Sequence, residues 1–228
     1  ARGDVVAGGL GCGDGASQLN TPCSIFVGKH GHLYVCEFWN HRVSRWAPGA
    51  DSGVVVAGGR GQGEELNQLH GPSDIFVDDA GTVYVADFVN ARIVRWAEGA
   101  SSGEVVAGGR GLGTDLEQIS GPSGVFVDGG GVLYVAEKYN QRVTKWAPGA
   151  GCGEIVAGGR GRGPRTDQLW NPTNIFVDYD GMLYVAEERN DRVSRWAPGA
   201  EHCTVIAGGH GLGEGPGQLS HPSGVFVV

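Results

Sequence analysis

The sequence predicts an all-β protein assembled from repeated sets of four short antiparallel strands. The first observation behind this prediction is a motif, Val-Ala-Gly-Gly or a close copy, that recurs every fifty residues. It begins at Val6, Val56, Val106, Val156 and Ile206. The second is that Pro22, Tyr34 and Trp46 have equivalents at the same fifty-residue step. The third is that no stretch shows an apolar period of 3.6 residues, so helices are not predicted.

The second copy gives the strands in order. Ile75–Asp78 is a short apolar run, and Thr82–Asp87 is rich in β-branched and aromatic residues. The turn residues between them predict a hairpin. Arg92–Ala97 is the third predicted strand, and Glu104–Ala107, after a loop of turn composition, is the fourth.

Four short antiparallel strands in every period are typical of a blade of a β-propeller. Stacking between neighbouring blades explains why the strands do not alternate cleanly between polar and apolar residues. The sequence has no composition shift, so we predict a single domain over residues 1–228. The predicted repeats are 8–57, 58–107, 108–157 and 158–207, with a partial copy formed by 208–228 together with 1–7.

The two ends of the chain predict an incomplete blade. Asp4–Ala7 corresponds to a fourth strand and Val225–Val228 to a first strand, so a five- or six-bladed ring would be left incomplete. Three interpretations are open: a fragment of a longer protein, which we favour; completion by strands of another chain; and a strained ring with a two-stranded blade. Arg2-Gly3-Asp4 spells the integrin-recognition tripeptide, but its position within the fifty-residue period identifies it as a variant of the repeat.

Composition excludes several classes of protein. The 43 glycines lie at fixed places in the long period, which identifies turn glycines rather than collagen or disorder. A net charge of −8, spread evenly, disfavours a binder of nucleic-acid backbones. No run of eighteen apolar residues occurs, so we predict no membrane span.

The five cysteines occupy positions that hold other residues in the sister repeats, and their spacing disfavours zinc. Cys23 and Cys36 flank a predicted hairpin and could form a disulfide at its open end. Free buried thiols are the alternative. A disulfide would favour an extracellular or organelle-lumen protein, and the sequence does not otherwise identify the compartment.

Two runs, Tyr84–Ile93 and Tyr184–Val193, resemble the core of the NHL repeat: Tyr-Val-Ala-Asp, a short gap, Asn, one residue, Arg and an aliphatic residue. All four full copies match this pattern. The resemblance implies a propeller, usually of six blades. It does not imply one function, because the family includes RNA binders, protein scaffolds, extracellular modules and a lyase.

The polar positions of the motif recur in every copy, which indicates architecture rather than catalysis. We predict that the carboxylate, an asparagine in a left-handed turn and the arginine satisfy one another and lock each blade. The carboxylates are Glu37, Asp87, Glu137 and Glu187. The amide and guanidinium positions are Asn40, Arg42, Asn90, Arg92, Asn140, Arg142, Asn190 and Arg192.

Metal and ligand sites are less clearly indicated. Asp78, Asp128 and Asp178 end the first strand and could form a calcium-binding ring, although the chemistry of hairpin turns explains them better. We therefore predict no cofactor, with structural calcium as the alternative. The Gly-Gly-Arg-Gly loops lack the helix of a phosphate loop. Their exposed cations, Arg60, Arg110, Arg160 and His210, predict a binding surface on the rim.

Taken together, these patterns predict a non-enzymatic scaffold within a larger protein or assembly. Its expected partners are proteins, bound through the rim loops or the open edge of the incomplete blade, and self-association is a further expectation. Nucleic-acid binding is disfavoured. The alternative is a lyase or hydrolase with a metal in the central channel, as the resemblance to the NHL family implies.

Overall fold

The computed structural model describes residues 3–227. It shows an all-β protein with four antiparallel four-stranded blades, which is the predicted β-propeller fold class. Within each blade the strands follow chain order across the sheet, as antiparallel hairpin connections require. The described residues contain no helix longer than the 3₁₀ turn Lys29–Gly31, and none that could cross a membrane.

The chain divides into two compact units, one ending at Val106 and the other beginning at Ala107. The first unit holds blade 1 and most of blade 2. Blade 1 is formed by β1 (Pro22–Val27), β2 (Leu33–Glu37), β3 (Arg42–Trp46) and β4 (Val54–Gly58). Blade 2 is formed by β5 (Pro72–Val77), β6 (Val83–Asp87), β7 (Arg92–Trp96) and β8 (Glu104–Gly108).

The second unit holds the other two blades. Blade 3 is formed by β9 (Pro122–Val127), β10 (Leu133–Glu137), β11 (Arg142–Trp146) and β12 (Glu154–Gly158). Blade 4 is formed by β13 (Pro172–Val177), β14 (Leu183–Glu187), β15 (Arg192–Trp196) and β16 (Thr204–Gly208). That the chain forms a single domain stays a prediction.

Each first strand begins at its proline, earlier than the apolar run alone predicts. A proline is tolerated at the first residue of a strand, where no ladder amide is needed. The pairing register shifts between the first and third residues of this strand, which are Pro72 and Asp74 in blade 2. Such a shift marks a β-bulge. In blade 3 the bulge residue Ser123 donates to the Pro172 carbonyl of blade 4.

The core of each unit lies between its two blades. In the first unit Tyr34, Cys36 and Val43 of blade 1 pack with Ile75 and Val77 of blade 2. The second unit repeats this arrangement with Ala136 and Val143 of blade 3 against the equivalent residues of blade 4. Leu69 and Leu169, from the loops before the blades, are fully buried in the two cores and anchor those loops.

The predicted strands at the chain ends are not formed within the described residues. Residues 4–7 and 225–227 have no strand assignment, because a strand requires a ladder partner and neither segment has one in its unit. The segment before Val228 nevertheless contacts blade 4, where the Thr173 hydroxyl donates to the Pro222 carbonyl at 3.0 Å. Residues 1, 2 and 228, and with them part of the tripeptide Arg2-Gly3-Asp4, lie outside the described residues.

Candidate functional site

A buried ionic cluster occupies the same place in every blade. In blade 3 the fully buried Glu137 accepts a 2.9 Å hydrogen bond from Nε of Arg142 and a 2.6 Å bond from the Asn140 amide. The Thr144 hydroxyl also donates to Glu137, at 2.8 Å, and accepts a bond from the Trp146 indole at 3.1 Å. Blades 1 and 4 repeat these contacts with serine in place of Thr144.

The arginine of the cluster also anchors the glycine-rich loop that precedes its blade. Arg142 donates to the carbonyls of Thr114, Asp115 and Gln118 at 2.7, 3.1 and 3.0 Å. Asn140 donates to the carbonyl of Gly113 at 2.8 Å. The predicted local cluster therefore extends to carbonyl groups 24 to 28 residues upstream, which sequence reasoning missed.

The turn between the second and third strands differs from the expectation in one detail. The residue in the left-handed region follows the asparagine. These residues are His41, Ala91, Gln141 and Asp191, with φ of 49°, 51°, 54° and 49°. The asparagine keeps an ordinary conformation because its amide must point inward to the carboxylate three residues earlier.

Blade 2 carries a shorter version of the cluster. Asp87 accepts bonds from Arg92 at 2.7 Å and from the backbone amide of His70 at 2.7 Å. Val94 stands where the other blades have a hydroxyl. Burial raises the pKa of Asp87, and the hydrogen bonds from His70, Asn90 and Arg92 oppose that rise.

A glutamine fixes each glycine-rich loop from the inside. The Gln68 amide donates to the carbonyl of Arg60 at 3.1 Å, and Gln118 and Gln168 do the same for Arg110 and Arg160 at 3.2 and 3.0 Å. A side chain at Gly63 would overlap Oε1 of Gln68, so a larger residue there would displace the glutamine from its position. The fifty-residue recurrence of this glutamine was the sequence signal that could have revealed its role.

The loops present their variable side chains to solvent. Arg60, Arg110, Arg160 and His210 are all exposed. Exposed leucines accompany them, and these are Leu66, Leu112, Leu116 and Leu212. Arg110 pairs with Glu117 at 3.1 Å, both side chains being more than half exposed. The loops therefore combine a backbone held by hydrogen bonds with exposed cations and leucines, and their exposed side chains also include the carboxylates Glu64, Glu65, Asp115 and Glu117.

The three aspartates considered for calcium serve their own hairpins. Oδ1 of Asp78 accepts the amides of Ala80 and Thr82 at 2.9 and 2.8 Å. Asp128 and Asp178 accept the equivalent amides, and Asp178 also accepts the Tyr184 hydroxyl at 3.0 Å. Within residues 3–227 no group of three or more His, Cys, Asp or Glu side chains is placed to hold a metal ion.

Two histidines distant in sequence meet in the first unit. The rings of His41 and His70 lie 5.7 Å apart, nearly perpendicular. Nδ1 of His41 accepts the backbone N–H of Gly71 at 3.0 Å. Burial, followed by the charge of His70, lowers the pKa of His41, which favours the neutral ring that this bond requires.

The predicted disulfide between Cys23 and Cys36 is not formed, and all five cysteines are free thiols. The bulge at the start of β1 turns Cys23 towards blade 2. Its thiol lies 3.2 Å from the carbonyl of Pro72 and 3.6 Å from that of Cys36. With both thiols free, Cys23 takes a hydrogen-bonding role in the sheet.

A cleft lies beside the outer strands in each unit. The cleft in the first unit has a volume of about 330 Å³, and the Arg45–Glu98 ion pair of 2.7 Å lies in its lining. The cleft in the second unit has a volume of about 670 Å³, and Pro198 stands at the position of Glu98. The lining of the second cleft includes the Lys145–Glu154 ion pair of 3.0 Å, and the second cleft is the larger of the two.

Comparison with known proteins identifies the fold of the chain but not its function. No protein-family model matches the chain, and no curated protein matches it. Among solved structures, an inactive H270A variant of virginiamycin B lyase from Staphylococcus aureus with quinupristin is similar, with a TM-score of 0.51 and 15% identity. That match covers 81% of this chain and 55% of the lyase.

A streptogramin B lyase is also similar, with a TM-score of 0.50 and 12% identity, over 78% of this chain and 52% of the lyase. Both neighbours are propeller proteins, and this chain spans about half of their length. Identities this low show the fold alone. The chain is a β-propeller by fold.

Proposed function

We propose that the chain is a non-enzymatic, NHL-type propeller module that binds other proteins through its glycine-rich loops, as part of a larger protein or assembly. One observation carries the proposal: the positions that hold the loop backbone in place repeat, whereas the exposed positions vary. Gln68, Gly63 and Arg92 have identical equivalents in blades 3 and 4. At exposed position 62 the later copies carry Leu112, Arg162 and Leu212. A fixed frame with variable exposed residues is the arrangement of a binding surface.

The chemistry of the loops indicates the kind of partner. Arginine beside exposed leucine is suited to a protein surface that offers carboxylates next to apolar groups, because arginine pairs with carboxylates in a bidentate way. The glutamine and arginine bonds hold the loop backbone before binding, which lowers the entropy that a partner must offset. The strand edges and clefts beside these loops would extend such an interface.

A comparative binding experiment tests the proposal. The triple variant R60E/R110E/R160E reverses the loop charges, and K29E/R189E/R195E makes the same change of net charge at other exposed positions. Wild type, loop variant and control are each immobilised and exposed to an extract of the organism that makes the protein. Bound proteins are identified by mass spectrometry, and their affinities are then measured with purified partners.

We expect specific partners to bind the wild type and the control, and to lose about tenfold or more in affinity for the loop variant, as charged anchor residues at interfaces usually show. Equal binding to all three proteins would contradict the proposal. An equal loss in the loop variant and the control would show that net charge, rather than the loop surface, governs binding.

A further inference from the structure

Blade 1 departs from its sister blades at two neighbouring positions together. The bulge residue of the first strand is Ser73, Ser123 or Thr173 in blades 2 to 4, and the facing residue of the second strand is alanine in all three. In blade 1 these residues are Cys23 and Cys36. The two thiols therefore replace a hydroxyl and a methyl group at one place in the sheet.

The geometry of the sister blades shows what this place requires. The Ser123 hydroxyl lies 3.3 Å from the carbonyl of Ala136 and 2.7 Å from that of Pro172 in the next blade. The Cys23 thiol takes over both contacts, with Cys36 and Pro72. Cys36 is the ladder partner of Ser24, the residue after Cys23, and the side chains of Cys23 and Cys36 are close enough to interact by a hydrogen bond.

The two thiols differ in exposure and in acidity. Cys23 is exposed, whereas Cys36 is fully buried. A hydrogen bond with the Cys36 side chain lowers the pKa of Cys23, although burial and the carboxylate of Asp74 oppose the change. Burial holds the pKa of Cys36 well above its ordinary value. This contrast makes Cys23 the attacking sulfur and Cys36 the more protected second sulfur.

We propose that Cys23 and Cys36 form a thiol–disulfide exchange site that reacts with small-molecule disulfides such as oxidised glutathione. The Cys23 thiolate attacks one sulfur of the disulfide and forms a mixed disulfide, and the other half leaves as a thiol after taking up a proton. Cys36 then loses its proton and attacks Sγ of Cys23, which releases the second thiol. Two protein thiols are oxidised and one external disulfide is reduced to two thiols.

Oxidation changes the contact between blades 1 and 2. The thiol proton that Cys23 can donate to the Pro72 carbonyl is lost when the disulfide forms, so one hydrogen bond between β1 and β5 disappears. The same reaction joins β1 covalently to β2. The site would therefore couple the redox state of its surroundings to the packing of the first unit.

Peptide mapping of the intact chain tests the proposal. The protein is incubated with oxidised glutathione, its free thiols are alkylated, and it is digested with trypsin, which cleaves after Lys29 between the two cysteines. We expect the two peptides to be recovered as one cross-linked species, with loss of two alkylatable thiols. Hydrogen exchange of the β5 amides should become faster in the oxidised protein.

Matched variants come from the sister blades. C23S/C36A restores the residues of blade 3 and should fold with no thiol lost at this site. C36A should stop at a mixed disulfide on Cys23. Wild type that accumulates glutathione on Cys23 while Cys36 stays alkylatable, or that forms only intermolecular disulfides, would overturn the proposal. Unchanged β5 exchange would overturn the link between oxidation and blade packing.

Discussion

Blades 2 and 3 provide hydrogen-bond partners for the buried carboxylate of the cluster with different side chains. In blade 3 Glu137 reaches Thr144, which in turn accepts the Trp146 indole, so three side chains form a chain of hydrogen bonds. In blade 2 the carboxylate is one methylene shorter, and Val94 replaces the hydroxyl. Asp87 is instead 2.7 Å from the His70 amide, whereas Glu137 is 3.3 Å from the equivalent amide of Ser120.

The comparison separates what the fold requires from what it tolerates. The arginine and asparagine contacts are the same in both blades to within 0.2 Å, because they anchor the loop that precedes each blade. The hydrogen bonds that run from the carboxylate through the hydroxyl to the tryptophan form an optional branch, because blade 2 has no hydroxyl at this position. Shortening the carboxylate and removing the hydroxyl occur together, since either change alone would leave a buried polar atom without its bond.

The largest expected effect is in the shared part of the cluster. Replacing Arg142 with alanine leaves Glu137 buried without its cation and frees three loop carbonyls. We expect a loss of about 3–5 kcal/mol in the free energy of unfolding. Urea unfolding followed by tryptophan fluorescence measures it. Arg92→Ala should cost about the same in blade 2, and a much smaller loss there would contradict the idea of a common core.

The optional branch should contribute to stability only in the blades that contain its hydroxyl. Thr144→Val in blade 3 removes the donor to Glu137 and the acceptor of the Trp146 indole, and should cost about 1–3 kcal/mol. The same urea experiment applies. Val94 already occupies this position in blade 2, so stability unchanged by Thr144→Val would show that the branch contributes nothing in blade 3 either.

Converting one blade to the chemistry of the other tests the coupling directly. E137D/T144V gives blade 3 the pair found in blade 2. It should be more stable than the sum of the two single variants predicts, by about 1 kcal/mol, as expected for groups in direct contact. A double-mutant cycle in urea measures this difference. Strict additivity would mean that the two positions vary independently and that their pairing in blade 2 is coincidental.

The smallest effect concerns an ion pair present only in the second unit. Lys138 of blade 3 lies 2.8 Å from Glu188 of blade 4, whereas blades 1 and 2 carry phenylalanine at these positions. The hydrogen bond from Lys138 lowers the pKa of Glu188 below its ordinary value of 4.5. Both side chains are partly exposed, so Lys138→Met should cost only about 0.2–1 kcal/mol at pH 7.

The sign of the pH dependence follows from that lowered pKa. The contribution is complete above the unfolded-state pKa of Glu188 and is lost as the pH falls through its folded-state pKa. The wild type and K138M should therefore differ at pH 7 and converge in acid, once the pH lies below the folded-state pKa of Glu188. A difference that persists in acid would indicate lost packing of the lysine stem instead of a lost ion pair.

The sequence predicted the repeat, the strand order and the polar positions of each blade, because these depend on local patterns that recur every fifty residues. Two kinds of feature could not be predicted. The contacts of Arg142 with loop carbonyls involve backbone atoms, which leave no trace in residue identity. The fate of Cys23 depended on a bulge of one residue, which changed the direction of its side chain.

That residues 208–228 and 1–7 together form a partial blade stays a prediction, although residues 4–7 and 225–227 have no strand assignment. The motifs of Asp4–Ala7 and Val225–Val228 resemble strands, but the pattern of one segment cannot supply the neighbour that a ladder needs. The exposed cations Arg60, Arg110, Arg160 and His210 lie where the sequence indicated, and their function stays a prediction.

The anchoring of each loop to the blade that follows it has a consequence for how such a chain can grow. Every partner of Arg42, from Asp14 to Glu37, lies within the same fifty residues, and the other copies follow the same rule. A duplication or deletion of one whole period would therefore carry each buried arginine of the cluster together with its carboxylate and its loop carbonyls. The number of copies can change during evolution while the ionic cluster inside each copy stays intact.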